Sequence, residues 1–246
     1  MRTAVVTGAA SGIGRAFARQ LAAEGHRVHL ADISSTRELA AEISGVPAVV
    51  DVSSDEEMTR LAANAPAPDV LCLNAGVVGA SLGAPWEVPA DEWIRLLGVN
   101  VLGVVNGLRA FVPGLVAADR PAHLVITASL AGLLAFPGGG AYAATKHAVV
   151  AVAEQTALTL RDTPVSVSVL CPALVRTAMS DTGDDPADVA AAALRAVRAG
   201  RFLVVPDQWR AALGIRTDRL LAGTAPEVPA PRERPDGRGP ARAEVP

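Results

Sequence analysis

Along the chain, short runs of apolar, β-branched residues alternate with longer stretches whose apolar positions recur at the helical period. The runs fall at residues 3–7, 27–31, 48–50, 70–73, 123–127, 165–170 and 202–205. Between them, residues 13–23, 36–43, 56–64, 141–160 and 186–199 place apolar side chains three and four apart. Strands alternating with helices predict βαβ units, right-handed crossovers and an α/β fold of the doubly wound kind. The strands are apolar on both faces, so the expected sheet is seven-stranded, parallel and covered by helices on each side. Residues 1–221 make one domain. From Ala222 to Pro246 the chain carries six prolines with Glu, Arg and Gly and almost nothing to bury, which predicts a disordered tail.

Composition narrows the function classes. Half of the 246 residues are hydrophobic, ample for one substantial core. A formal charge of −3, with basic residues scattered, gives no electrostatic reason to expect nucleic acid or an anionic membrane as partner. Cys72 and Cys171 lie in or just after apolar runs, as buried thiols in a reducing compartment would. No stretch reaches about 18 uninterrupted apolar residues. The apolar part of the N-terminus is too short for a signal peptide, so a cytoplasmic protein is expected. The histidines (His26, His29, His123, His147) and cysteines show no metal-ligand spacing, and no metal is expected. One count directs attention to a site: Lys146 is the only lysine among 22 Lys+Arg, and Tyr142, four residues before it, is the only tyrosine.

The first run leads into Thr7-Gly8-Ala9-Ala10-Ser11-Gly12-Ile13-Gly14 and at once into an amphipathic helix. Gly8, Ser11, Gly12, Ile13 and Gly14 there suit a tight turn and the close approach of backbone to a pyrophosphate at a helix N-terminus. The motif also demands an acid about 20 residues on, and Asp32 closes the second strand. Together they predict a Rossmann-type dinucleotide site. A carboxylate at Asp32 accepts from both adenosine ribose hydroxyls and repels a 2′-phosphate, which predicts NAD over NADP. Arg37 is the nearest cation and fits a solvated place on the next helix.

Tyr142 and Lys146 follow the loop Gly138-Gly139-Gly140 in a segment of helical character. Four apart, they share a helix face. A nearby ammonium favours the phenolate, so the tyrosine is expected to have a lowered pKa and to act as general acid in ketone reduction and base in alcohol oxidation. A tyrosine and lysine at this spacing are individually common; their coupling to the glycine turn makes them a site.

These motifs resemble those of the short-chain dehydrogenase/reductase family, in its compact single-domain branch, over roughly residues 3 to 180. Smaller landmarks fall in the family's order. Asp51 and Val52 resemble its adenine contact, and Asn74-Ala75-Gly76 its segment bordering the cofactor. Asn100 matches the helix asparagine of a water relay to the lysine, and Ser129 the serine that hydrogen-bonds the substrate oxygen. Pro172, Val175 and Thr177 match the segment that holds the nicotinamide amide. The resemblance implies an NAD-dependent enzyme interconverting a secondary alcohol and a ketone. Asn100, Ser129, Tyr142 and Lys146 would form its catalytic set, with Lys146 also holding the nicotinamide ribose. Plainer uses stay open residue by residue: Ser129 as a strand-end cap, Asn100 as a polar residue in a helix bend, Thr177 as an N-cap. A catalytically silent dinucleotide-sensing protein of the same fold is the alternative reading.

The chain departs from that family pattern in two places. After Thr177 only residues 178–185 precede the next helix, where many relatives insert a longer lid; an open site for a bulky substrate is expected. Val77, Val78, Leu130, Leu133, Leu134, Phe136, Leu174 and Met179 are the expected apolar walls. The seventh strand is followed by a helix carrying Trp209 and the proline-rich tail, without the Asp-Gly-Gly turn of many tetrameric relatives. By resemblance the partner is then a second copy, packed as a homodimer through the helices near residues 91–112 and 141–160.

Overall fold

The computed structural model describes residues 2–65, 67–80 and 83–231. The strands are β1 (Arg2–Thr7), β2 (His26–Asp32), β3 (Val46–Val49), β4 (Val70–Leu73), β5 (Ala122–Thr127), β6 (Val165–Leu170) and β7 (Leu203–Val204). All pair in parallel, in the order β3-β2-β1-β4-β5-β6-β7. The order reverses between β1 and β4, and it is outside the carboxyl ends of strands at such a reversal that doubly wound sheets bind ligands. Both faces are covered. Along β1, Val5 packs with α3 (Asp55–Asn64), α5 (Gly103–Ala117) and α6 (Gly140–Leu160). Its neighbours Ala4 and Val6 point the other way, against α1 (Gly12–Ala23), α2 (Arg37–Ile43) and α7 (Pro186–Arg198). That alternation is the two-residue period of a strand feeding two cores.

The predicted elements stand within a residue or two of their observed bounds, the third strand furthest off. It lies at Val46–Val49 rather than 48–50, because the register that pairs Ala48 with Ala31 and Val49 with Asp32 is set by β2. Trp209 sits in a single 3-10 turn (Asp207–Trp209) that leads into α8 (Arg210–Leu221) rather than on that helix. Residues 222–231 carry no regular structure, and the expected disorder of the tail beyond residue 231 lies outside the described residues.

Residues 90–117 form one continuous rod: α4 (Ala90–Leu96), a π-helical stretch (Leu97–Leu102) and α5. By length and composition alone it is apolar enough to cross a membrane, with mean hydropathy 1.5 over 18 residues. Part of that apolarity serves the core, where Leu96, Val104, Phe111 and Leu115 are at most 3% exposed. Asn100, Asn106 and Arg109 interrupt its apolar run.

Candidate active site

The predicted site residues gather at the carboxyl edge of the sheet. The turn after β1 is possible only with glycines. At Gly14 a Cβ would fall 2.0 Å from the Gly8 carbonyl oxygen, and at Gly12, where φ is +51°, 2.8 Å from Thr177 Cγ2. A side chain at Gly12 would therefore close the gap between the turn and the Val175–Thr177 segment. Ser11 precedes α1 in an extended conformation and makes no side-chain cap bond. The N–H groups that open the helix are thus free of a capping side chain, as an anion at that terminus requires.

Asp32 has a second task that its position in the sequence did not announce. Its Oδ2 accepts the Ala10 N–H at 2.9 Å and its Oδ1 the Ser34 N–H at 2.8 Å. The carboxylate therefore holds the glycine turn in place and keeps lone pairs for ribose hydroxyls. Arg37 is exposed, as expected. At the adenine end, Asp51 Oδ1 accepts from the Ser53 N–H and hydroxyl, at 2.9 and 2.7 Å. Val52 is 6% exposed, and its carbonyl is bound by Asn106 Nδ2 at 3.0 Å.

The Asn74–Gly76 segment is laced to β1. Thr7 Oγ1 accepts from the N–H groups of Asn74 (2.9 Å) and Ala75 (3.1 Å), and Asn74 Nδ2 donates to the Thr7 carbonyl at 3.2 Å. Thr127 Oγ1 donates to Asn74 Oδ1 at 3.1 Å and ties in β5. Pro172 accepts from the Leu130 N–H at 2.8 Å, which sets β6 beside the serine turn.

Tyr142 and Lys146 share a face of α6, and the ammonium nitrogen lies 5.8 Å from the ring centroid. Ser129 caps a 3-10 turn (Leu130–Gly132), its Oγ accepting the Ala131 N–H at 3.1 Å. That leaves its own hydrogen to donate, and its proximity favours the ionised form of Tyr142. Its plainer use, as a cap at the strand end, is therefore met. Lys146 is 4% exposed and donates to the Thr127 carbonyl at 3.2 Å.

The proton energetics differ from the sequence expectation. Burial pushes the Tyr142 phenol up, the Ser129 hydrogen bond opposes this, and the neighbouring Cys171 adds to the rise. Burial also pushes Lys146 down, to about 8. Lys146 is buried and Tyr142 half-buried beside it, and desolvation works against both charges. The expected lowering of the phenol is therefore corrected: in the protein alone its net direction is upward.

Asn100 is fully buried in the π-helical stretch, where one extra residue in the turn swings its side chain towards the loop after β4. Its Oδ1 accepts from the Val77 N–H at 2.8 Å, and its Nδ2 donates to the Val77 carbonyl (2.9 Å) and to Thr145 Oγ1 (3.1 Å). Every hydrogen of that amide is engaged by the chain, so its side chain acts as a clamp on the loop. A built Cβ on Gly76 would lie 3.1 Å from Lys146 Nζ and 3.2 Å from Asn100 Oδ1, so the loop passes directly between them.

The expected walls divide. Leu134 is 2% exposed, Leu133 packs on the main core and Val77 on the small cluster of Val88, Leu96 and Ala141, so these three are packing residues. Phe136, Leu174 and Met179 are exposed. The short segment after β6 is a self-paired loop: Arg176 N–H donates to the Asp184 carbonyl (3.0 Å), Asp184 N–H to that of Leu174 (2.9 Å), and Thr177 and Ser180 exchange bonds of 2.9 and 3.1 Å. Thr7, Asn106 and Thr145 were missed. Thr7 and Asn106 are polar residues inside apolar runs, which is the signal that marks them, and Thr145 stands between Tyr142 and Lys146.

A glycine turn on an uncapped helix, an acid placed for ribose, and a serine–tyrosine–lysine cluster at the sheet's switch edge define a nicotinamide-dependent dehydrogenase site. The short chain dehydrogenase family model matches residues 2–187. The chain belongs to the short-chain dehydrogenase/reductase family and is an oxidoreductase of it; NAD is the cofactor its residues fit. It is 46% identical over 190 residues to a 1-deoxy-11-beta-hydroxypentalenate dehydrogenase of Streptomyces avermitilis, covering 72% of this chain and 70% of that protein. To the enzyme of the same name from Streptomyces exfoliatus it is 42% identical over 224 residues, 82% and 81% of the two chains. Among solved structures, a short-chain dehydrogenase/reductase from Burkholderia phymatum in complex with NAD superposes with a TM-score of 0.84 at 31% identity, covering 93% of this chain and 97% of that one.

Proposed function

We propose that the protein is an NAD-dependent enzyme interconverting a secondary alcohol and a ketone on a bulky apolar substrate, with Tyr142 as general acid and base. The observation that carries this is the convergence of Tyr142, Ser129 and Lys146 beside the turn held by Asp32. NAD, when bound, takes up or supplies the hydride. The chain's residues do the rest. In reduction the Tyr142 hydroxyl gives its proton to the substrate oxygen, and in oxidation the phenolate removes it. Ser129, its oxygen already fixed by Ala131, donates its hydrogen to the same substrate oxygen. Lys146 spends one hydrogen on Thr127 and keeps two for the nicotinamide ribose and solvent.

The apolar substrate is supported by the exposed Phe136, Leu174 and Met179 and by the two hydroxypentalenate dehydrogenases among the relatives. The self-paired 174–184 loop leaves the mouth without a long lid. A homodimer through α5 and α6 is supported by the apolar groove between them, with Leu108, Val112, Pro113 and Leu160 on its walls. Light scattering reads the dimer: a monomeric mass overturns it.

The test of the chemistry is Tyr142→Phe, assayed by NADH absorbance with a panel of cyclic secondary alcohols and ketones of increasing size. Turnover should fall by about 10² to 10⁴, the worth of a positioned acid or base. NADH binding should persist. Near-normal turnover would sink the assignment, and a preference for the smallest ketones would sink the substrate class.

A further inference from the structure

The helix that carries Tyr142 begins on a glycine run without a side-chain cap. Its N-cap is Gly139, which makes no side-chain cap bond, and three glycines precede or open the first turn. An uncapped turn after a glycine run frays, since its first N–H groups lack partners and glycine gains the most entropy on release. Tyr142 is the third residue of that helix. A general acid must nonetheless hold its oxygen to within a fraction of an ångström.

We propose that Thr145 is a positioning residue that fixes Tyr142 by tying its turn to the rod carrying Asn100; this rests on the reading of Tyr142 given above. Thr145 is fully buried, and its Oγ1 donates to the Tyr142 carbonyl at 2.8 Å and accepts from Asn100 Nδ2 at 3.1 Å. Asn100 in turn grips both polar groups of the Val77 backbone. The chain of bonds runs from the loop after β4, through the π-helical stretch, to the main chain of Tyr142. It is closed: the amide has two hydrogens and the hydroxyl one, and all three are engaged. Thr145 touches neither the phenol oxygen nor the ammonium; it acts on them through the backbone that bears Tyr142. Its methyl group also fills core space, so a structural role and a positioning role must be separated by chemistry rather than by size.

Valine matches threonine in shape and lacks the hydroxyl; serine keeps the hydroxyl and lacks the methyl. Thr145→Val should lower kcat about thirtyfold, as a misplaced acid does, while the KM for NADH changes by less than about threefold. Thr145→Ser should recover most of the loss. Because Tyr142 is the only tyrosine, ¹³C-labelled tyrosine gives a single Cζ resonance that reports the phenol directly, with no substrate present. That line should broaden and move towards the free amino acid's position in Thr145→Val and return in Thr145→Ser. If Thr145→Val does not fold, Thr145→Ala is compared with Thr145→Ser by the same measures. A valine or alanine variant with kcat within twofold of the parent and an unmoved resonance overturns the proposal. So does a serine variant as impaired as valine, which would assign the effect to methyl packing. Tyr142→Phe run alongside separates the two readings: if it is fully active the site assignment fails, and if it is dead while Thr145→Val is normal only the positioning role fails.

Discussion

Replacing Gly14 with alanine puts the cofactor reading under a geometric strain whose size can be worked out in advance. A Cβ there stands 2.0 Å from the Gly8 carbonyl oxygen and 2.7 Å from both the Gly8 carbonyl carbon and Asn74 Nδ2. Real Cβ contacts stay beyond 3.0 Å, so the turn must open by about 1 Å. No rotamer relieves this, because the obstacle is backbone. Overpacking of this kind costs about 1–3 kcal/mol. If it falls on the cofactor-bound turn, that is about five- to 150-fold in NADH affinity, at 1.4 kcal/mol per decade. The same movement pulls on Asn74 and, through Thr127, on β5. The assay is an NADH fluorescence titration paired with thermal melting. Gly114→Ala is the control: a Cβ at that exposed position in α5 meets nothing within 4 Å. It should stabilise by about 0.5–1 kcal/mol, as alanine does over glycine in a helix, and leave NADH binding alone. A Gly14→Ala protein that binds NADH within twofold of the parent would refute the reasoning, since the turn would then not need its observed shape.

Two further outcomes follow from the structure. Asp32→Ser should shift preference from NADH towards NADPH by at least tenfold in kcat/KM, by removing the charge that repels a 2′-phosphate while leaving an oxygen for the Ala10 N–H; an unchanged ratio would show that cofactor choice lies elsewhere. His123 on β5 bonds Ser168 of β6 at 2.8 Å, and burial holds it down to about 4. Below the ordinary value of 6.5 the unfolded chain binds the proton that the folded one refuses, so stability is lost as pH falls from 6.5 towards 4. The loss is on the order of 3 kcal/mol at its full extent. Melting curves across pH 7 to 4.5 should show it, and His123→Gln should flatten the slope; an equally steep slope in that variant would rule His123 out as the source.

Most of the layout was legible in the sequence because it rests on local periodicity and on spacing along one chain. Seven apolar runs separated by helical segments specify parallel strands covered on both faces, whatever their detailed contacts. The glycine turn was legible because a backbone that must pass within contact of itself admits no other residue, and Tyr142 with Lys146 because a helix brings residues four apart together. What remained hidden depended on partners distant in sequence. Asp32 is 22 residues from Ala10, Asn100 is 45 from Thr145 and 23 from Val77, and Thr7 is 67 from Asn74, so no window of sequence displays those bonds. The same holds for Leu133, Leu134 and Val77, whose apolar character suited a substrate wall equally well until packing assigned them to the core. The direction of the Tyr142 shift is hidden from the sequence for a related reason. A neighbouring charge can be inferred from spacing, but the loss of water around both groups is a property of the folded volume. Sequence alone thus determined which residues stand at the sheet's carboxyl edge. The tertiary structure decided what each one holds there, because hydrogen-bond saturation and desolvation exist only once distant segments have excluded water between them.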